Sequence, residues 1–331
     1  MLAKQKSLKD ISVNEKVDHY LLLNKIEIKL TKTNKEYLDL EFRDKSSFIV
    51  GRMWDNIDTI KNITKEGDIV KVYGTIEKYQ EQLQIKVDKI KLTLVKDNIS
   101  IEDFLPRSER DFDEMIKELD NLIDSLKNEY LRNLTKSLLK GKNLENFLRM
   151  PAGKSWHHAY IHGLLEHTLE VAKLCDVMHS FHPDLNRDLM ITGALLHDYG
   201  KVFELQYKPT FDYTDKGKLM GHIVIVSIEI EKATEKIPNF PEELKNQIQH
   251  LVLSHQGKLE QASPVEPKMA EAIALYYADE LSAKTNAYKN IIKEYNKEKG
   301  GWTNFVKLAN TYFYISPKET NGDYKESLFE E

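Results

Sequence analysis

The sequence predicts an α+β multidomain protein, a small five-stranded β-barrel followed by an all-α helical bundle. Three observations carry this. The chain has 331 residues, too many for one typical core and enough for two on a prior of roughly 150 residues per domain. Hydrophobicity alternates with period two through much of the first hundred residues. From about residue 108 it changes to the 3.6-residue period of helices and keeps it nearly to the end.

Residues from about 18 to 95 read as strands; beyond the first of them, Leu38, Leu40 and Phe42 alternate with Asp39, Glu41 and Arg43, the pattern of a half-buried strand. Another strand from Phe48 to Trp54 follows the polar turn 43–47. Residues 61–67 read as a short helix or loop, and 69–74 and 83–94 as further strands. Five short strands with one small intervening element fit a closed barrel, and the OB-fold is the commonest nucleic-acid-binding version. The strings Tyr37-Leu38-Asp39-Leu40, Phe42-Arg43-Asp44 and Gly51-Arg52-Met53-Trp54-Asp55 resemble the anticodon-binding-like OB family. Its candidate grip is Arg52, Trp54, Lys71, Tyr73 and Tyr79, since aromatic platforms beside cations hold single strands. Burial in the barrel core is the competing explanation for the aromatic members.

The expected domains are 1–97 for the barrel, 98–107 for a linker, 108–316 for the helical part and 317–331 for a flexible tail. Phe112, Met115, Ile116, Leu119, Leu122, Ile123 and Leu126 form one helical stripe, with Ser108 and Asp111 as a capping box. Helices are then expected over 128–140, 143–149, 158–179, 185–198, 222–237, 241–254, 267–289 and 302–312. Residues 203–220, holding Pro209, Gly217 and several aromatics, read as a loop over a site.

Net charge is −5, a weak argument against a dedicated polyanion binder. Residues 1–100 hold 19 Lys and Arg against 16 Asp and Glu, and the remainder 29 against 37. A mildly basic module thus precedes an acidic one, which suits a nucleic-acid grip joined to a metal-directed domain. The one cysteine, Cys175, excludes an intrachain disulfide framework and points to the cytoplasm. It reads as a small buried apolar residue. The N-terminus leads into no apolar signal core, and no run of about 18 apolar residues occurs, so neither export nor a membrane span is expected.

The chemistry centres on His197-Asp198 at the end of the apolar run 189–196. A buried His beside a buried Asp is costly unless hydrogen-bonded, paired or bound to a metal. His167, His222, His255 and Asp279 each sit in their own apolar, helix-like segment, so they could converge from successive helices. One such His is most simply a satisfied core residue; six separated ligand-type residues are harder to explain that way. Histidine and carboxylate donors without thiolate favour Mn²⁺ first, with Mg²⁺, Co²⁺ or Fe²⁺ as alternatives, over a structural zinc cage. Asp198 is the candidate bridge between two ions that clamp a phosphodiester. Lys201, three residues further on, could meet a phosphate oxygen or simply pair with Asp198 on the surface.

The set His167, His197-Asp198 and Asp279 resembles the ligand set of HD-domain phosphohydrolases, and His222 and His255 resemble the extra ligands of its two-metal members. More closely, His157-His158-Ala159-Tyr160-Ile161, Gly163-Leu164-Leu165-Glu166-His167-Thr168 and Leu195-Leu196-His197-Asp198-Tyr199-Gly200-Lys201 resemble the YhaM family of 3′→5′ exoribonucleases. So do Leu253-Ser254-His255-Gln256-Gly257 and Ser263-Pro264-Val265-Glu266-Pro267. The resemblance spans nearly the whole chain and implies an OB-fold followed by an HD-domain helical bundle, its core at about 155–290 behind linking helices at 108–150. It implies His167, His197, Asp198 and Asp279 as core ligands, His222 and His255 as a second metal position, and Asp198 and Lys201 as catalytic. Gln256 stands where the family commonly has a second His, so it and His158 are pocket candidates. His158 is placed by the four-residue spacing that would set it on one helix face with His162. His250 faces away from His255, His179 and His182 flank a helix end, and His157 and His19 receive no role.

The resulting expectation is a cytoplasmic, metal-dependent exonuclease with two divalent ions. It would cleave single-stranded RNA, with single-stranded DNA as an alternative, from the 3′ end by metal-activated water, releasing nucleoside monophosphates. Nothing in the chain opposes a homo-oligomer. Rival readings are an HD phosphohydrolase of small nucleotides and a non-catalytic, replication-associated single-strand DNA-binding protein.

Overall fold

The period-two segments close into a barrel in the computed structural model, which describes residues 5–80, 82–93, 99–154, 156–206, 211–295, 300–307 and 309–317. The strands are β1 (Lys16–Leu30), β2 (Glu36–Arg43), β3 (Phe48–Met53), β4 (Ile69–Tyr79) and β5 (Gln82–Leu92). They run in the order β1-β2-β3-β5-β4, with β4 returning to β1, and only the β3–β5 contact is parallel. Alternation decides which side chains fill the barrel: Leu38, Leu40, Phe42, Met53, Val70, Val72, Ile76 and Ile85 are buried inside it, while Arg52, Lys71, Tyr73 and Tyr79 occupy the alternate, outward positions of their strands. Helix α1 (Ile57–Ile63) lies between β3 and β4, a few residues earlier than expected.

The helical part holds α2 (Phe112–Asp124), α3 (Glu129–Leu139), α4 (Leu144–Arg149), α5 (Gly163–Phe181), α6 (Arg187–Leu196) and the short α7 (Lys201–Glu204). The strand pair β6 (Leu205–Gln206) and β7 (Asp212–Tyr213) precedes α8 (Asp215–Thr234), α9 (Glu242–Ser254) and α10 (Ala270–Tyr295). One apolar cluster, including Leu119, Leu131, Phe147, Leu164, Leu195, Leu251 and Leu275, runs through the bundle. No helix among the described residues is long and apolar enough to cross a membrane.

Several expected boundaries move. Helix α2 is capped by Asp111, whose carboxylate accepts from Glu114 N at 2.9 Å, while Ser108 instead accepts from Arg110 N. Helix α5 starts at Gly163 rather than 158, because His158 and His162 both take left-handed φ (44° and 68°). Residues 215–220 are helical, not loop; residues 207–210 of that expected loop lie outside the described residues. The expected helix 302–312 is instead a strand pair, β8 (Gly301–Trp302) and β9 (Tyr314–Ile315). Positive φ at Gly300 and Gly301 (69° and 113°) turns the chain there. The expected linker is folded: Phe104 and Leu105 are buried with Tyr20 and Leu22 of β1 and Ile161 and Phe211 of the helical part. Residue 98 of the linker, residues 318–331 of the tail and parts of 1–97 (1–4, 81 and 94–97) lie outside the described residues.

Candidate metal centre

Helix α6 is buried along its whole apolar run, from Leu189 to Leu196. Burying that run drives its C-terminal end, and with it His197 and Asp198, into the middle of the bundle. Helix α9 packs against α6 and ends at His255, whose ring lies 5.1 Å from that of His197. Helix α5 brings His167 to 5.2 Å from the same ring, and α10 brings Asp279.

His222 arrives by a different device. Helix α8 breaks at Gly221, whose φ of 71° and ψ of 153° suit glycine. The residue after the break is His222, with its backbone N–H and its ring Nδ1 both on the buried carboxylate of Glu204, at 3.0 and 3.2 Å.

The six predicted ligands meet. His167 Nε2 lies 3.0 Å from Asp279 Oδ1 and 3.2 Å from His197 Nε2. Asp198 stands between two groups: its Oδ2 is 3.5 Å from His167 and 3.4 Å from His197, and its Oδ1 is 3.4 Å from His222 and 3.8 Å from His255. Two ligand triads result, His167–His197–Asp279 and Asp198–His222–His255.

The rings are oriented from outside. His197 Nδ1 faces the Ala194 carbonyl at 2.8 Å and His255 Nδ1 the Val252 carbonyl at 2.6 Å. A carbonyl only accepts, so each Nδ1 carries the hydrogen and each Nε2 turns a lone pair inward. His167 Nδ1 donates to Ser282 Oγ at 3.0 Å, and that hydroxyl donates to Glu170 at 2.7 Å. The supports Glu204, Ser282 and Glu170 were not singled out from the sequence. A usable signal existed for two of them: Ser282 follows Asp279, and Glu170 follows His167, by three residues on the same helix face.

These residues fit a divalent cation. Donors about 2.1 Å from one ion at octahedral or tetrahedral angles are about 3.0–3.4 Å apart, and the closer pairs here span that range. Asp198 Oδ1 and His222 Nε2 are buried with no hydrogen-bond partner, a cost that coordination removes. The donor set is nitrogen and oxygen with no sulfur.

Charge is concentrated around Asp198. Burial alone would raise its carboxyl, but the Lys201 ammonium at 2.6 Å, His197 and His222 outweigh that and hold it well below the usual carboxylate range. Burial and then His197 push His255 down to about 4. Burial also drives His167 and His157 well down. For His197, burial is overcome by Asp198, and its pKa rises.

The unfolded chain takes up protons on these rings near pH 6.5, whereas folded His255 resists until about pH 4. Metal-free protein therefore loses stability as pH falls through that window, by at most about 3 kcal/mol from His255. His197, with its raised pKa, acts in the opposite sense. We expect the melting temperature of chelated protein to fall between pH 7 and pH 5, and His255→Gln to flatten the slope. An unchanged slope in that variant would contradict this assignment.

Lys201 is buried with its ammonium on Asp198, and it lines a cavity of about 240 Å³. Lys154, Trp156, His157, Glu204, Tyr213 and His222 also line it. His158 is fully buried, its ring centroid 5.2 Å from that of His167, but the helix-face reason for choosing it fails, since neither it nor His162 is helical. His162 instead turns Nδ1 to the Leu148 carbonyl at 2.6 Å. Gln256 is not among the residues lining the cavity, and Asp198, His222 and His255 form the second triad without drawing on it. His250 faces away, accepting from Lys268 N at 2.9 Å.

The barrel residues fall into two groups rather than one surface. Arg52 lies 4.7 Å over Tyr79 and 5.8 Å over Tyr37, Trp54 stacks on Tyr37 at 4.8 Å, and Lys35 lies 6.0 Å over Trp54. This group covers the outer face of β2 and β3 and the ends of the β1–β2 and β4–β5 loops, where OB-folds bind oligonucleotides. Lys71 and Tyr73 are separated from it by β5 and sit beside Tyr20, with Lys71 paired to Asp18 at 3.0 Å.

Comparison with known proteins follows the same division. The HD domain family matches residues 164–284, and an OB-fold nucleic acid binding domain family matches 24–93. The chain is 36% identical over 281 residues to the 3′-5′ exoribonuclease YhaM of Geobacillus sp. (strain WCH70), covering 85% of this chain and 86% of that protein. It is 34% identical over 303 residues to the 3′-5′ exoribonuclease YhaM of Bacillus subtilis (strain 168), covering 91% and 95%. Among solved structures, a domain of replication protein A from Methanococcus maripaludis is similar over 26% of this chain and 92% of that one, at 23% identity and a TM-score of 0.23.

Proposed function

The chain belongs to the YhaM family of 3′→5′ exoribonucleases, and on that premise we propose that it shortens single-stranded RNA from the 3′ end, one nucleoside monophosphate at a time. The observation that carries the reading is Asp198, whose Oδ2 faces one donor triad while its Oδ1 belongs to the other. His167, His197 and Asp279 would hold one divalent cation and Asp198, His222 and His255 a second, with Mn²⁺ first among hard-to-borderline ions. Such a centre supplies Lewis acidity at a phosphodiester and a water acidic enough to react near neutral pH.

The chain's own residues then bind and orient. Lys201 and Lys154 both line the cavity, with their ammonium groups on Asp198 and Asp212, from where they can turn to the non-bridging oxygens of an entering phosphate. Trp156 and Tyr213 give the same cavity flat apolar surface against which a terminal base can lie. Glu204 fixes His222 through both its backbone and its ring, and Ser282 with Glu170 fixes His167. The Tyr37–Arg52–Trp54–Tyr79 face of the barrel is the grip on the rest of the strand. The working division is a binding unit over 1–97 and a hydrolytic unit over 108–316.

Incubating the Mn²⁺-loaded protein in parallel with 5′-labelled oligoribonucleotide, the matching deoxyoligonucleotide and deoxynucleoside triphosphates tests this. The expected result is a ladder of RNA shortened from the 3′ end. Turnover of the triphosphates alone would contradict it, and the deoxyoligonucleotide arm sets the sugar preference. For the grip, Arg52→Ala with Tyr79→Ala is expected to weaken binding of a single-stranded oligoribonucleotide about tenfold, at the ~1–3 kcal/mol carried by a stacked base. Fluorescence anisotropy in chelator measures this, and unchanged affinity would remove the barrel face from the account.

A further inference from the structure

The segment 300–317 holds five aromatic residues, Trp302, Phe305, Tyr312, Phe313 and Tyr314, together with Lys307 and no Asp or Glu, in a chain with 53 acidic residues in 331. Trp302 faces Tyr314 across the β8–β9 pair with ring centroids 5.4 Å apart, and Phe305 lies 5.2 Å from Tyr312. These four are 62%, 47%, 55% and 55% exposed for Trp302, Phe305, Tyr312 and Tyr314. Phe313 alternates to the other side and packs on Tyr288 of α10 at 4.7 Å. Tyr288 in turn meets Trp156 at 5.9 Å, and Trp156 lines the cavity beside Lys201. Two ring contacts therefore tie an exposed aromatic surface to the wall of the reaction cavity.

We propose that this aromatic hairpin is a second binding site for single-stranded RNA, stacking bases of the substrate just outside the cavity. The inference rests on the exoribonuclease reading. A cavity of about 240 Å³ lies below the roughly 300 Å³ at which small-molecule pockets begin, so it has room for no more than the end of a strand, and the next bases must lie against the surface around it. Exposed rings serve every base alike, which suits an enzyme that moves along any sequence. The missing carboxylates matter as much as the rings, because a phosphate backbone is repelled by acidic surface and Lys307 is the only formal charge in the segment. Exposed Asn304, Asn310 and Thr311 add hydrogen-bonding groups between the rings.

The test compares wild type with Trp302→Ala/Tyr314→Ala and Phe305→Ala/Tyr312→Ala, and with Trp302→Phe/Tyr314→Phe, which keeps the rings. Binding of a twelve-nucleotide single-stranded RNA is read by anisotropy in chelator, and turnover of that RNA and of a diribonucleotide is read with Mn²⁺. The alanine pairs are expected to raise Kd and KM for the longer RNA about tenfold and to leave the diribonucleotide within about twofold, while the phenylalanine pair stays near wild type. Unchanged Kd in the alanine pairs, or loss on both substrates alike, would overturn the proposal. So would a change of oligomeric mass without a change in RNA affinity, which would mark the surface as a contact between copies. If wild type bound the RNA through these rings yet cleaved nothing, the exoribonuclease reading would fall and the site would stand.

Discussion

Asp198→Ala is expected to lower turnover on single-stranded RNA by at least about a thousandfold, or about 4 kcal/mol of transition-state stabilisation. The size follows from position: this one carboxylate faces both donor triads, through Oδ2 on one side and Oδ1 on the other. Its removal also leaves the Lys201 ammonium buried without its counter-charge, which costs about 3–5 kcal/mol when a buried pair is broken from one side. Asp198→Asn keeps the shape and one acceptor oxygen for Lys201 but not the charge. It should therefore retain more stability than the alanine variant while losing nearly as much activity. Steady-state rates with urea melts on both variants separate the two effects, and near-wild-type rates in either would move the chemistry away from this residue.

Gly200→Ala is expected to lower kcat about a hundredfold without replacing any candidate ligand. A Cβ at position 200 would lie 2.1 Å from the His222 carbonyl oxygen and 2.8 Å from its carbon, so backbone must move on one side or the other. His222 Nε2 lies 3.4 Å from Asp198 Oδ1, and a displacement of about 1 Å at such a centre is worth about 10² in rate. Overpacking of this kind costs about 1–3 kcal/mol of stability. The Mn²⁺ concentration giving half-maximal activity should rise in this variant, because the triad of His167, His197 and Asp279 is left in place while that of His222 is displaced. A wild-type kcat and Mn²⁺ dependence would show that α7 and α8 are not held by this contact.

The candidate ligands are legible in the sequence because each is an ionisable group embedded in an apolar helical stretch, which burial alone makes expensive. Residues 189–196 announce a buried helix, so His197 and Asp198 stood out before any partner was known. The barrel was legible for a similar reason, since period-two alternation separates inward Leu38, Leu40 and Phe42 from outward Asp39 and Glu41. What alternation could not give is which outward residues meet. Strand β5 lies between β3 and β4, so Lys71 and Tyr73 part from Arg52, while Tyr79 at the end of β4 reaches it.

The delivery of His222 was also hidden. It depends on a break at Gly221 and on Glu204 receiving the freed backbone N–H, a tertiary contact with no local signature. The expected helix at 302–312 gives way to a hairpin because Trp302, Phe305, Val306 and Tyr312 are aromatic or β-branched, and Trp302 pairs with Tyr314 and Val306 with Thr311 across it. Gln256 stands where the family commonly has a second His, yet Asp198, His222 and His255 come together without it.

The central claim is that the Asp198 cluster, loaded with divalent ions, removes nucleotides from the 3′ end of RNA. The most direct measurement strips the protein with chelator, restores Mn²⁺ or Mg²⁺ in steps, and follows release from a 3′-end-labelled oligoribonucleotide by wild type and Asp198→Ala in parallel. The account predicts no release from stripped protein, labelled nucleoside monophosphate as the first product when the ion is restored, and no release from Asp198→Ala at any ion concentration. Release that survives chelation, or that Asp198→Ala supports at wild-type rate, would contradict it.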